Sequence, residues 1–126
     1  MPVYTLDTNA IIYYLENDPE VAPFLQSILD DPTIPVYVSK ITEAELFSHS
    51  DLSDEEAQAI EAMLQAVSLV PPVSKIARAA GRIRSTYRLK LADSLIATTA
   101  LFTGSMLLTR NVRDFQKIPH LSLREI

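Results

Sequence analysis

Short apolar runs alternate with helical patterns along the whole chain, and that alternation limits the folds open to it. The runs are residues 3–6, 35–38, 68–70 and 105–108. None shows strict apolar–polar alternation, as befits strands covered on both faces. Between them, apolar side chains recur at helical spacing: Ile11, Ile12 and Leu15; Val21, Phe24, Leu25, Ile28 and Leu29; Ile60, Met63, Leu64 and Val67; Ile76, Ala79, Ala80, Ile83 and Tyr87. Strands joined by helical crossovers run parallel. The expectation is an α/β fold with a short, mainly parallel central sheet of four strands, or five if residues 121–123 form an edge strand. The 126 residues contain no repeat, low-complexity tract or linker, so one domain over 1–126 is expected.

Local signals set the element ends. Thr8 or Asn9 is expected to cap the first helix, and Pro19-Glu20 to open a second. Thr42 is expected to cap a helix over residues 42–47, and Thr42-x-x-Glu45 has the spacing of a capping box. Ser53-Asp54-Glu55-Glu56 puts acids in the first turn of another helix. The pattern predicts further helices over 73–87 and 91–102, the latter stopped by Gly104.

Composition narrows the chemistry. Cysteine is absent and histidine occurs only at His49 and His120, so a bound metal would be held mainly by oxygen. The net charge of −5 hides an asymmetry. Residues 1–62 carry 13 acids and one base, Lys40, whereas residues 63–126 carry 10 bases and three acids. A local basic surface can meet phosphates despite the acidic average. No run approaches the roughly 20 apolar residues of a membrane span, and without a basic n-region or an apolar h-region no secretory signal is expected. A soluble cytoplasmic protein is the expectation.

The polar groups at strand ends carry the functional argument. Asp7 closes the first strand, where parallel α/β sheets bind ligands. Glu45 lies near the start of the helix after the second strand, Asp93 lies on the helical face of Ile96, Ala97 and Ala100, and Asn111 and Asp114 follow the fourth strand. Each has a plain structural alternative: a capping box for Glu45, a first-turn acid for Asp93, a turn residue for Asn111, a cap for Asp114. Carboxylates gathered on one edge repel one another unless cations lie between them. Mg²⁺ or Mn²⁺ suits such an oxygen cage and serves phosphoryl chemistry. Lys75, Arg78 and Arg82 share a face that reads as a solvated surface or as a track for nucleic-acid phosphates. Arg110 and Arg113 neighbour the proposed site.

Four segments together resemble the PIN domain, and more closely the VapC-type toxin ribonucleases. They are Leu6-Asp7-Thr8-Asn9, Ser39-x-x-Thr42-x-x-Glu45-Leu46, the run from Leu91-Ala92-Asp93-Ser94 to Leu101, and Leu108-Thr109-Arg110-Asn111-Val112-Arg113-Asp114-Phe115. The resemblance covers nearly the whole chain. It implies a three-layer α/β/α sandwich and an endoribonuclease dependent on Mg²⁺ or Mn²⁺. It implies metal-binding acids at Asp7, Glu45 and Asp93, with a fourth polar position between Thr109 and Asp114. Asp114 is taken as the charged fourth member and Asn111 as a polar positioner. Thr8, Asn9 and Thr109 are supporting groups. A neutralising antitoxin and a homodimer are the implied protein partners, beside an RNA substrate. The alternative is a PIN-like RNA- or protein-interaction module with weak catalysis. Asp93-Ser94 departs from the Asp-Ala usual in the family.

Overall fold

The computed structural model describes residues 2–126. Five strands form one sheet: β1 (Tyr4–Leu6), β2 (Val36–Ser39), β3 (Ser68–Val70), β4 (Met106–Thr109) and β5 (Leu123–Glu125). Their order is β3-β2-β1-β4-β5, and every pair is parallel. Seven helices intervene: α1 (Thr8–Leu15), α2 (Val21–Leu29), α3 (Lys40–Leu46), α4 (Asp54–Gln65), α5 (Ser74–Tyr87), α6 (Leu91–Thr103) and α7 (Val112–Phe115). The edge strand β5 starts two residues later than the sequence suggests, and β4 runs one residue further, to Thr109.

Alternation along β4 shows the three layers. Leu108 joins a core with Ile11, Leu25, Ile60 and Leu64, from α1, α2 and α4. Its neighbour Leu107 joins Ile96, Ala97, Ala100 and Phe115, from α6 and α7. Successive side chains of a strand face opposite sides, so helices cover both faces. All of Ser94–Ala100 in α6 is buried. Its hydroxyls stay satisfied because Ser94, Thr98 and Thr99 each donate to the carbonyl four residues back, at 2.7–2.9 Å.

The caps differ from the sequence expectation. Asp7 itself caps α1, accepting from the Ala10 amide at 2.7 Å, and Thr8 and Asn9 lie inside the first turn. Ser39 caps α3, so Thr42 is a buried helical residue and no box forms with Glu45. The capping box is at Ser53 and Glu56. From β1 the chain builds outward through β2 and β3, then returns to the other side of β1 for β4 and β5. The order reverses between β1 and β4, and a crevice opens there at the carboxyl ends of the strands.

Candidate active site

That edge holds a cavity of about 440 Å³ lined by Asp7, Thr8, Asn9, Ile12, Glu45, Ser48, His49, Lys90, Ala92, Asp93, Ile96, Asn111 and Asp114. All four sequence-predicted acids face it. They arrive from four elements: the end of β1, the last turn of α3, the first turn of α6, and α7.

Asp7 is held most firmly. Only 4% exposed, it accepts from the Ala10 amide through Oδ1 and from Thr109 Oγ1 through Oδ2, the latter at 2.5 Å. Thr109 Oγ1 accepts in turn from the Asn111 amide at 2.9 Å, which ties the β4 end to its loop. Burial pushes the Asp7 carboxyl up to about 6; the Thr109 and Ala10 hydrogen bonds oppose the shift, and the charges of Asp93 and Glu45 reinforce it.

Glu45 is aimed by threonines. Thr8 Oγ1 donates to its Oε1 at 2.5 Å and lies 3.0 Å from Thr42 Oγ1. Thr8 has one proton, already given to Glu45, so Thr42 is the donor of that second bond. Thr42 therefore orients the site instead of capping a helix. Asp93 is half-buried, and its carboxyl is raised by burial and then by Glu45, with Lys90 pulling it down and Asp114 pushing it up. Asp114 accepts from Asn111 Nδ2 at 3.1 Å and pairs with Lys117 at 3.7 Å. Asn111 and Asp114 thus act as a bonded pair, both facing the cavity.

The predicted basic residues fare differently. Arg110 is turned away, its Nη2 3.0 Å from Asp18 Oδ1, its Nε 3.0 Å from the Ile126 carbonyl oxygen, and its guanidinium 4.3 Å from the Tyr13 ring centre. It clamps the α1–α2 turn to the C-terminal strand. Arg113 is exposed outside the cavity lining. Lys75, Arg78 and Arg82 are exposed on α5, also away from it. Sequence reasoning passed over Lys90, Ser48 and His49, which do line the cavity. Lys90 carried one usable signal: it stands three residues before Asp93, one helical turn away.

The donor set fits a hard divalent cation. It is all oxygen, and the mutual repulsion of Asp7, Glu45, Asp93 and Asp114 is the field that a cation relieves. Only Asp114 of the four has a basic partner among the described residues. No three acids are already drawn into a single coordination shell among those residues. A hard cation held there would keep several of its waters, as Mg²⁺ usually does.

Residues 4–121 match the family model described as PIN domain. The chain is 31% identical over 132 residues to Ribonuclease VapC1 of Haemophilus influenzae (strain R2866), covering 98% of this chain and 97% of that protein. Among solved structures, VapBC-1 from nontypeable Haemophilus influenzae superposes with a TM-score of 0.80 at 31% identity, over 98% of this chain and 97% of that one. A toxin–antitoxin complex from Klebsiella pneumoniae gives 0.77 at 27% identity, over 98% and 99%. The strand order, the site at the β1–β4 crevice and these likenesses lead to one assignment: the chain belongs to the PIN domain family, among its VapC-type members.

Proposed function

We propose that this protein is a metal-dependent endoribonuclease, the toxin of a toxin–antitoxin pair. The observation that carries the reading is the convergence of Asp7, Glu45, Asp93 and Asp114 on one cavity at the sheet's switch point. Its near full-length likeness to a named ribonuclease supports RNA as the substrate.

The four carboxylates would hold Mg²⁺ or Mn²⁺. Such a cation, when bound, supplies Lewis acidity toward the phosphodiester and a hydroxide nucleophile at neutral pH. The protein's part is to position. Thr109 and the Ala10 amide fix both oxygens of Asp7, Thr8 fixes Glu45, and Asn111 fixes Asp114. Ile12 and Ile96 put apolar walls beside the acids, which keeps their electrostatics strong. Attack by water needs no 2′-hydroxyl, and with the P–O3′ bond broken and the 3′-oxygen leaving as a hydroxyl, cleavage leaves a 5′-phosphate.

A groove between α1, α3 and α4 is a place for the antitoxin: Ile12, Leu15, Leu46, Leu52 and Ile60 give it an apolar floor, Glu16, Asp51 and Glu56 add acids, and it shares Ile12 and His49 with the acidic cavity. A segment of the partner lying there could send an arginine into the acids as a cation mimic. A homodimer belongs to the same reading.

The test is cleavage of RNA by purified protein with Mg²⁺ or Mn²⁺, and its loss in Asp7→Asn. Equal cutting by the variant would remove the proposal. Asn111, standing where relatives often carry an acid, favours a second reading as an interaction module. Titration with Mn²⁺ separates the two, since a module would show no saturable site sensitive to Asp7 and Asp93.

A further inference from the structure

Among the described residues, Lys90 is the only lysine or arginine lining the acidic cavity. Its backbone is fixed twice, because the amide and the Oγ of Ser94 both donate to its carbonyl oxygen at 2.9 Å. Its side chain is exposed and forms no salt bridge among the described residues. Its charge acts on Asp93 through space, but the two form no ion pair, so the ammonium keeps its donors available.

RNA has to bring an anionic phosphodiester into a cavity walled by four carboxylates. A compact ammonium with three donors, mounted on a fixed backbone and free at its tip, suits a non-bridging phosphate oxygen. We propose that Lys90 binds the phosphodiester of the RNA strand entering the site, as a substrate-contacting residue of this enzyme. Ser94, the family departure beside Asp93, then has a role of its own: it anchors the backbone that carries the ammonium. The proposal rests on the endoribonuclease reading above.

Binding can be measured without cleavage. In an Asp7→Asn background without divalent ions, a fluorescein-labelled single-stranded RNA of mixed sequence is titrated by anisotropy at several salt concentrations. Lys90→Ala should weaken binding about tenfold at low salt and lower the slope of log K against log[salt] by about 0.7, the value for one phosphate contact on a single strand. Lys90→Arg should keep most of the slope. In the active background, Lys90→Ala should reduce kcat/KM while Mn²⁺ affinity stays equal or rises. An unchanged salt slope in Lys90→Ala overturns the proposal. So does weakened Mn²⁺ binding with intact RNA binding, which would make Lys90 a prop for Asp93. Cleavage by the wild type together with an unchanged slope sinks the Lys90 assignment alone. Absence of RNA cleavage by the wild type with Mn²⁺ sinks the endoribonuclease reading, and the Lys90 assignment with it.

Discussion

Asp7 does two jobs that pull its carboxylate in opposite directions. As the cap of α1 and the acceptor from Thr109 it is stabilised when charged; as a group 4% exposed beside Asp93 and Glu45 it is destabilised when charged. Burial wins, and the carboxyl titrates near 6 instead of 3.8. The folded metal-free protein therefore holds this proton more tightly than the unfolded chain does. Keeping Asp7 ionised costs stability in full above pH 6, and the cost fades as pH falls from 6 towards 3.8. Asparagine caps a helix as well as aspartate. Asp7→Asn should thus raise the thermal midpoint of the metal-free protein at pH 7.5, by an amount equivalent to roughly 2–3 kcal/mol. Most of that gain should vanish at pH 4, and a gain independent of pH would refute the burial argument. Thr109→Val tests the opposing contribution. It keeps the shape of a buried residue but removes the donor to Asp7 Oδ2 and the acceptor for the Asn111 amide. Loss of such a supporting bond should lower kcat/KM by about 10–100-fold, with Thr109→Ser recovering most of it.

The chain's two glycines separate helix propensity from helix ending. Gly81 sits exposed within α5, with nothing near a would-be Cβ. Gly104 ends α6 at a φ of +63°, also in open space. Gly81→Ala should therefore stabilise the protein by about 0.5–1 kcal/mol, and Gly104→Ala should destabilise it by about 1 kcal/mol, because only the second forces a side chain into the left-handed region. Chemical denaturation of both variants checks the opposite signs. This level of structure was the most readable one. Ile76, Ala80 and Ile83 mark the inner face of α5 by spacing alone, and Gly104 marks the end of α6. The caps were misread because each strand end offers several candidates within three residues: Asp7, Thr8 and Asn9, or Ser39 and Thr42. Which one caps was decided by a distant residue, since Glu45 claims the Thr8 hydroxyl and Thr8 in turn claims that of Thr42. Arg110 was misplaced for the same reason: Asp18 and Tyr13, far away in sequence, take its guanidinium from the site. The acids were legible because strand ends on a parallel sheet share one edge. Lys90 stands one helical turn before Asp93, but that spacing alone does not tell whether the two pair, so only the structure brings it to the cavity.

The candidate site is also a junction of the whole molecule. Asp7 ends the central strand, Glu45 comes from α3, and Asp93 and Asp114 come from α6 and α7, which cover one face of the sheet. In the metal-free state these elements meet through groups of like charge, so the edge where they converge opposes folding. A divalent cation held by the four acids, as proposed above, would reverse that sign, and it would bind the assembled cluster far better than the unfolded chain, in which the four acids are scattered. Ligand linkage then predicts stabilisation of about 2.7 kcal/mol when free metal stands at 100 times its dissociation constant. That corresponds to a rise in thermal midpoint on the order of 10 °C. Mn²⁺ should give this rise at pH 7.5, and excess chelator should abolish it. The rise should shrink below pH 6, where the proton competes for Asp7. Asp93→Asn should lose most of it, whereas Lys117→Ala, at a residue paired with Asp114 from outside the cavity lining, should keep it. A midpoint indifferent to Mn²⁺, or one that rises equally in wild type and Asp93→Asn, would mean that the four carboxylates share a cavity without sharing a cation.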